Sequence, residues 1–200
     1  MNVGVLASGA GTNLQAILDR VHGREGVTVA AVGSDQPGAP ALERAARAGV
    51  PTGEFPLHRD RAERDRAMAD FLDGHGVELV VLAGYMALLT PGFLARFPSR
   101  VINVHPALLP AFPGLRAIEQ ALDYGVKVFG VTVHFVDEGV DTGPIIAQRA
   151  IDLPDVTDPA QVREALRPIE HDLLCEAVVR IARGAVHPDP AHPRHVTVER

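Results

Sequence analysis

A continuous apolar run, ELVVLA at residues 78–83, limits what this 200-residue chain can fold into more than any other stretch. A run of this kind is typical of a central parallel strand that is buried on both faces. Other short apolar segments, at residues 2–7, 27–32 and 50–55, alternate with helical patterns, as in successive βα units. The sequence therefore predicts an α/β fold, a single-domain, mostly parallel Rossmann-like sheet flanked by helices.

The C-terminal half carries a different strand pattern. Residues 127–136 and 145–152 both alternate apolar with polar side chains, and an acidic, glycine-bounded turn joins them. This pattern predicts an antiparallel pair of strands added to the edge of the parallel sheet. A long helix from Pro159 to about residue 184 should follow, perturbed internally by Pro168. We expect residues 1–184 to form the folded domain and residues 185–200, rich in Pro and His, to form a loosely held tail.

The charge balance limits which partners the chain can bind, and its apolar runs and cysteine count limit where in the cell it is expected. A net charge of −6, from 25 acidic and 19 basic residues, argues against general nucleic-acid binding but allows an anionic ligand in a local pocket. Membrane spanning would need about 20 consecutive apolar residues, and the sequence has no such run. A single cysteine, Cys175, and an N-terminus without a leader pattern favour the cytoplasm. Monomer and homodimer are both compatible with these features.

A glycine-rich loop, SGAGTN at residues 8–13, lies between the first predicted strand and the first helix. Strand, glycine turn and helix in this order direct backbone N–H groups towards an anion. Gly11 allows close approach, and the Thr12 hydroxyl and Asn13 amide add hydrogen-bond donors. Phosphate binding is one interpretation, and a tight turn in which Thr12 or Asn13 caps the helix is the other.

A dinucleotide-binding loop is a weaker interpretation of the same stretch. The position of the third glycine in that fingerprint holds Leu14. An acid does follow at a suitable distance, Asp35, after the second predicted strand. A nucleotide P-loop is excluded, since no Gly-Lys-Ser/Thr sequence follows.

Three polar side chains emerge from apolar segments further along the chain. Asn103 and His105 alternate with Ile102 and Val104 and therefore share one face of a strand, which Pro106 ends. Asp141 projects from the turn DEGVDTG. A histidine paired with a carboxylate can stay protonated at neutral pH, as a general acid requires. The ordinary alternatives are a strand-end histidine, a turn-capping asparagine and a turn aspartate.

Metal binding has two candidate groups in the sequence. A zinc site formed by His105, His134 and Asp141 would lack a compact pair of ligands, which makes it a minor alternative. The tail contains three histidines whose spacing matches no typical metal site: His187, His192 and His195. We therefore expect exposed tail histidines and no metal.

Four segments together resemble one family: SGAGTN, LAGYM, INVHPALLPAFPG and GVTVHFVDEGVDTGPII. They are similar to the phosphoribosylglycinamide formyltransferases, folate-dependent enzymes of purine biosynthesis, over about residues 1–184. A wider group of formyltetrahydrofolate-using enzymes shares the Asn-Val-His-Pro and D-x-G elements. Methionyl-tRNA formyltransferases would add a C-terminal domain and formyltetrahydrofolate hydrolases an N-terminal regulatory one, so the length and the SGAGTN loop favour the first family.

The resemblance implies a reaction and a catalytic set. The formyl group of the cosubstrate 10-formyltetrahydrofolate would pass to the amine of 5'-phosphoribosylglycinamide, by direct attack and through a tetrahedral intermediate, without a metal. Asn103, His105 and Asp141 match the catalytic trio of the family, and His134 matches a supporting histidine beside it. No nucleophilic serine or cysteine is needed, because holding the two substrates together supplies much of the rate.

The resemblance also implies two binding surfaces. Gly11, Thr12 and Asn13 match the loop that holds the ribonucleotide phosphate, and Glu170 matches a carboxylate on the ribose hydroxyls. The surface for the folate comprises Arg61, Met86, Ala87, Leu88, Leu89, Asn103, Val136, Asp137, Glu138, Gly139, Val140 and Asp141. The chain departs from its relatives at three places: Ala87 replaces a frequent basic residue, Arg167 a frequent glutamine, and Leu174-Cys175 a frequent Tyr-Pro pair.

Overall fold

The structure, a computed structural model, describes residues 1–57 and 60–199. Two compact units make up the chain, Met1–Asn103 and residues 104–200. The described residues form nine strands: β1 (Asn2–Leu6), β2 (Thr28–Ser34), β3 (Thr52–Glu54), β4 (Leu79–Leu82), β5 (Val101–His105), β6 (Val128–Phe135), β7 (Ile145–Asp152), β8 (Val186–Pro188) and β9 (Val196–Val198). Their helices are α1 (Thr12–Arg20), α2 (Pro40–Arg47), α3 (Arg61–Gly74), α4 (Pro91–Arg96), α5 (Ala117–Tyr124) and α6 (Pro159–Ala182).

Seven strands form one sheet in the order β3-β2-β1-β4-β5-β6-β7, and β8 pairs only with β9. The pairs β2–β3, β1–β2, β1–β4 and β4–β5 are parallel, whereas β6 and β7 run antiparallel. Strand β4 is buried along its whole length, as its continuous apolar sequence predicts. The predicted fold, a mostly parallel sheet flanked by helices with an antiparallel pair in the C-terminal half, is confirmed.

The first unit packs helix α3 closely against β1. A Cβ atom added at Gly4 would lie 2.8 Å from a methyl carbon of Leu72, so a larger residue would force the Leu72 side chain to shift. The helix is capped by Asp60, whose side chain accepts a hydrogen bond from the Glu63 backbone N–H at 3.0 Å. It also carries a buried ion pair between Arg64 and Asp65, with Nη2 and Oδ1 separated by 2.7 Å.

In the second unit the long helix α6 packs on β6 and β7. Asp158 caps its first turn by accepting from the Ala160 N–H at 2.9 Å, and Pro159 occupies the first helical position, as predicted. The helix continues through Pro168, which we expected to perturb it. Pro168 is exposed, so its ring is accommodated on the solvent side of the helix.

The predicted tail contains an ordered hairpin that the sequence did not indicate. Strands β8 and β9 pair antiparallel, with Val186 opposite Val198 and Pro188 opposite Val196. Strand β9 also contacts β7 of the main sheet. The domain boundary at residue 184 stays a prediction. Within residues 1–57 and 60–199, no helix has both the length and the apolar character needed to cross a bilayer.

Candidate active site

The glycine loop after β1 is shaped by a close approach of helix α2. Gly11 has a left-handed backbone with φ of 70°, and an added Cβ would lie 2.8 Å from the Cα and Cβ atoms of Ala41. The Arg44 side chain donates from Nε to the Ala10 carbonyl at 2.8 Å. Gly11 is itself the N-cap of α1. The alternative in which Thr12 or Asn13 caps this helix is therefore wrong, and both residues lie in the first helical turn.

Asp35, the acid that made a dinucleotide-binding loop conceivable, is hydrogen-bonded within the first unit. Its side chain is buried, and its Oδ1 accepts a hydrogen bond from the Ser8 hydroxyl at 2.5 Å. The Ser8 hydroxyl in turn accepts from the Met86 backbone N–H at 2.9 Å. Asp35 thus fixes the loops after β1 and β4 relative to each other, and this explains its position without a ribose ligand. Sequence reasoning missed this role of Ser8.

Residues 86–89 form a loop held by arginine. Arg61 donates from Nε to the Leu88 carbonyl at 3.0 Å and from Nη2 to the Leu89 carbonyl at 2.7 Å. The loop leaves Met86 60% and Leu88 57% exposed. Two apolar side chains held in solvent on an anchored loop are suited to cover a flat, apolar ligand surface. Arg61 shapes this loop through its guanidinium group, and its contact with folate stays a prediction.

The second unit brings His105, His134 and Asp141 together. The Asp141 Oδ2 atom lies 3.3 Å from His105 Nδ1 and accepts from the Gly114 backbone N–H at 2.7 Å. Its Oδ1 atom lies 3.6 Å from His134 Nε2. Both imidazoles are buried, and the carboxylate is held between them. This arrangement places an acid–base pair at His105, the last residue of β5, two positions after Asn103.

The Asp141 carboxyl group is kept ionised by these neighbours. Burial acts to raise its pKa. Interactions with His134, with the Gly114 N–H and with the His105 ring have the opposite effect, and together they lower the pKa to about 2. The backbone of Asp141 adopts φ of 53°, in the left-handed region that aspartate tolerates better than most residues. A fixed negative charge is therefore present in this site over the whole physiological pH range.

His105 behaves differently from the expectation of a protonated imidazole. Burial lowers its pKa below the ordinary value of 6.5, even though Asp141 and the Phe112 carbonyl act to raise it. The Nε2 atom lies 2.9 Å from the Phe112 carbonyl oxygen, so the proton of the neutral ring belongs on Nε2. Nδ1 then faces Asp141 and is the nitrogen that can gain a proton.

The lowered pKa of Asp141 predicts how stability depends on pH. The pKa of Asp141 is about 2 in the folded protein and 3.8 for an ordinary aspartate. The ionised carboxylate therefore stabilises the fold at pH values above 3.8, and this stabilisation is lost as the pH falls towards 2. We expect Asp141→Asn to reduce the free energy of unfolding by about 1 to 2 kcal/mol near neutral pH, after allowance for solvent screening. In urea titrations, the difference from wild type should shrink as the pH falls below about 4. A difference that stays constant with pH would contradict the assignment.

The turn that carries Asp141 is held by its own side chains and by the C-terminal hairpin. Asp137 Oδ1 accepts from the Gly139 N–H at 3.0 Å and from the Thr142 hydroxyl at 2.6 Å. Arg194 donates from Nη1 to the Thr142 carbonyl at 3.0 Å. Asp137 thus uses one carboxylate oxygen to close the turn, and its contact with folate stays a prediction. The contact of Arg194 could not be predicted, since 52 residues separate it from Thr142.

The remaining predicted residues divide between the two units. Gly11, Thr12, Asn13, Arg61 and residues 86–89 lie in the first unit. Glu170 lies on α6 and is half-buried, and Val136, Glu138, Gly139 and Val140 lie in the turn after β6; all are in the second unit. Val136 is half-buried, while Glu138, Gly139 and Val140 are exposed and available to a ligand.

A buried histidine next to a carboxylate at the end of a parallel strand is suited to acid–base chemistry, as in a group-transfer site. The chain belongs to the formyl transferase family, which it matches over residues 1–178. The family resemblance stated from the sequence is thereby confirmed.

Comparison with individual proteins shows which members of this family the chain is similar to. The chain is 45% identical to phosphoribosylglycinamide formyltransferase of Mycobacterium tuberculosis over 184 residues, which cover 91% of this chain and 85% of that protein. Its identity to the Bacillus subtilis protein of the same name is 41%, covering 84% and 87% of the two chains. The crystal structure of glycinamide ribonucleotide transformylase 1 from Symbiobacterium toebii superposes with a TM-score of 0.94 at 46% identity, covering 99% of this chain and 93% of that one.

Proposed function

We propose that this chain transfers the formyl group of 10-formyltetrahydrofolate to the amine of 5'-phosphoribosylglycinamide. The observation that carries this proposal is the Asp141 carboxylate between His105 and His134, in a chain similar over most of its length to enzymes of that name. The folate is a cosubstrate in this reaction, not a resident group. The proposed location is the cytoplasm, and both monomer and homodimer remain compatible with this activity.

The reaction begins when the neutral amine attacks the formyl carbon. A new C–N bond forms, the carbonyl π pair moves to oxygen, and the nitrogen becomes cationic and acidic. The Asn103 amide can donate to the oxyanion, and one such donor contributes about 3 to 4 kcal/mol to lowering the barrier. Asn103 and His105 share a face of β5, so both can serve the same tetrahedral centre.

The proton released by the amine must reach the folate nitrogen before that nitrogen can leave. In the free protein burial keeps the pKa of His105 low, so its Nδ1 is available as an acceptor near neutral pH. A proton gained there is held by Asp141, 3.3 Å away, and places positive charge beside the oxyanion. The protonated His105 then returns this proton, through a water oriented by Asp141, to the folate nitrogen, while the oxyanion pair re-forms the carbonyl and the C–N bond to folate breaks.

The direct test is a formyl-transfer assay with both substrates, followed by absorbance of the released tetrahydrofolate product. We expect turnover that requires both substrates. The alternative classes are a nicotinamide-dependent dehydrogenase and a folate or nucleotide sensor without activity. Binding of NADH without binding of a folate analogue would support the first, and binding of both substrates without turnover would support the second; either result would overturn the proposal.

The phosphate of the ribonucleotide is assigned to the loop that ends in Gly11, Thr12 and Asn13. We predict that Thr12→Ala combined with Asn13→Ala raises the Kd of the ribonucleotide about 10- to 100-fold, because hydrogen bonds to a charged group are lost. The Kd of a folate analogue should stay the same. Calorimetric titration checks both values, with Thr28→Ala, an exposed threonine on β2, as the matched control. An unchanged ribonucleotide Kd would remove the assignment.

A further inference from the structure

The loop between β8 and β9, residues 189–195, is closed by its own backbone. The Asp189 N–H donates to the His195 carbonyl at 2.9 Å, and the His195 N–H donates to the His192 carbonyl at 2.7 Å. The His192 N–H donates to the Asp189 carbonyl at 3.2 Å. These bonds hold residues 189, 192 and 195 on one compact loop, although they are spread over seven positions in the sequence.

The side chains of these three residues converge. His192 Nδ1 lies 3.0 Å from Asp189 Oδ2, and the His192 and His195 rings are stacked with centroids 5.2 Å apart. One ligand atom from each residue lies within 4.8 Å of the other two. In residues 1–57 and 60–199, this is the one group of three or more His, Cys, Asp or Glu side chains that meets this geometry. Sequence spacing alone did not show it, because the hairpin creates the proximity.

The two oxygens of the Asp189 carboxylate have different partners. Its Oδ1 accepts from the Ala191 N–H at 2.8 Å, which fixes the orientation of the carboxylate. Its Oδ2 faces His192. Both imidazoles are exposed to solvent, so an ion can reach them, and their rings can turn without disturbing a core. In a tetrahedral zinc site with bonds of about 2.0 to 2.1 Å, neighbouring ligand atoms lie about 3.4 Å apart, within reach of small side-chain rotations.

We propose that Asp189, His192 and His195 form a binding site for a divalent transition metal ion, with Zn²⁺ as the ion that it takes. Two imidazole nitrogens and one carboxylate oxygen are a donor set that suits Zn²⁺, and water would complete the four positions. Mg²⁺ and Ca²⁺ prefer all-oxygen sites and are disfavoured by the two histidines. The site is separate from His105, His134 and Asp141.

The position of this loop gives metal binding a structural consequence. Arg194 lies between two of the ligands and donates to the Thr142 carbonyl, next to Asp141. A bound ion would link Asp189, His192 and His195 and thereby hold the segment that carries Arg194. The metal site is therefore a means of fixing the C-terminal hairpin on the turn after β6.

The test is a calorimetric titration of the full, untagged chain with Zn²⁺. We expect one ion per chain, and we expect binding to weaken at least about tenfold in His192→Ala, in His195→Ala and in Asp189→Asn. Asp189→Asn preserves an oxygen for the Ala191 N–H, so a loss of binding there cannot be attributed to collapse of the loop. His187→Ala, which removes a tail histidine outside the cluster, should bind like wild type.

A second measurement locates the ion directly. In NMR spectra, substoichiometric Ni²⁺ should broaden the imidazole signals of His192 and His195 before those of the other histidines. Undetectable Zn²⁺ binding, or binding that survives the His192→Ala/His195→Ala double variant, would overturn the proposal. Zn²⁺ binding lost in Asp141→Asn but kept in the hairpin variants would assign the ion to the buried site instead, and would overturn it equally.

Discussion

His105→Ala is expected to lower kcat for formyl transfer by about 10²- to 10⁴-fold, the range that a positioned acid–base group contributes. Alanine removes the Nδ1 atom 3.3 Å from Asp141, and with it the acceptor that takes the proton of the attacking amine. It also removes the positive charge that forms beside the oxyanion. Since neither effect acts on substrate binding, KM should change little, and steady-state kinetics with each substrate varied in turn would separate the two parameters.

Two controls separate chemistry from folding in this experiment. His105 is buried, so His105→Gln, which better fills the space, should fold with near-normal stability and still lack the acid–base function. His187→Ala, on an exposed hairpin histidine, should retain wild-type kcat. If His105→Gln turns over at nearly the wild-type rate, the ring is only structural and the proposed proton route is wrong.

Gly143→Ala is expected to be the most disruptive single substitution in the turn that carries Asp141. An added Cβ would overlap the Phe135 carbonyl oxygen and lie 2.7 Å from the carbonyl carbon, both backbone atoms that cannot rotate away. The turn must therefore shift, and Asp141, two residues earlier, must move with it. We expect a stability loss of about 1 to 3 kcal/mol, typical of overpacking, and a fall in kcat of at least about tenfold.

Gly74→Ala provides the matched comparison. Gly74 ends helix α3, and a Cβ added there meets no atom within 4 Å. Alanine favours the helix and reduces the entropy of the unfolded chain, so this variant should be neutral or slightly stabilised. Denaturant titrations of both variants, with kcat measured in parallel, test the comparison. Equal stability and activity for Gly143→Ala and wild type would show that the turn yields easily, and the steric argument would then fail.

The features that the sequence predicted are those encoded by local pattern. The buried run of β4, the alternation in β6 and β7 and the Asp158-Pro159 start of α6 each appear where expected. Such patterns depend on which side chains of one segment are buried and on how that segment begins or ends. They can therefore be recognised from a few neighbouring residues. The His105–Asp141 neighbourhood was anticipated through family resemblance, because no local pattern joins positions 36 residues apart.

The features that were missed depend on tertiary contacts. The sequence suggests that Asp141 raises the pKa of His105, but it cannot show the burial that reverses the direction. Strands β8 and β9 have three residues each, too few for a periodic signal. Arg61 also reads as a surface cation, whereas its donors face the Leu88 and Leu89 carbonyls. In each case the deciding partner is distant in sequence.

The hydrogen bond from Arg194 to the Thr142 carbonyl ties the hairpin of β8 and β9 to the segment next to the reacting groups. Proteolytic clipping ahead of residue 194 would release that segment without touching any residue assigned to chemistry. Arg194 is therefore a position from which turnover can be changed without altering the reacting groups themselves.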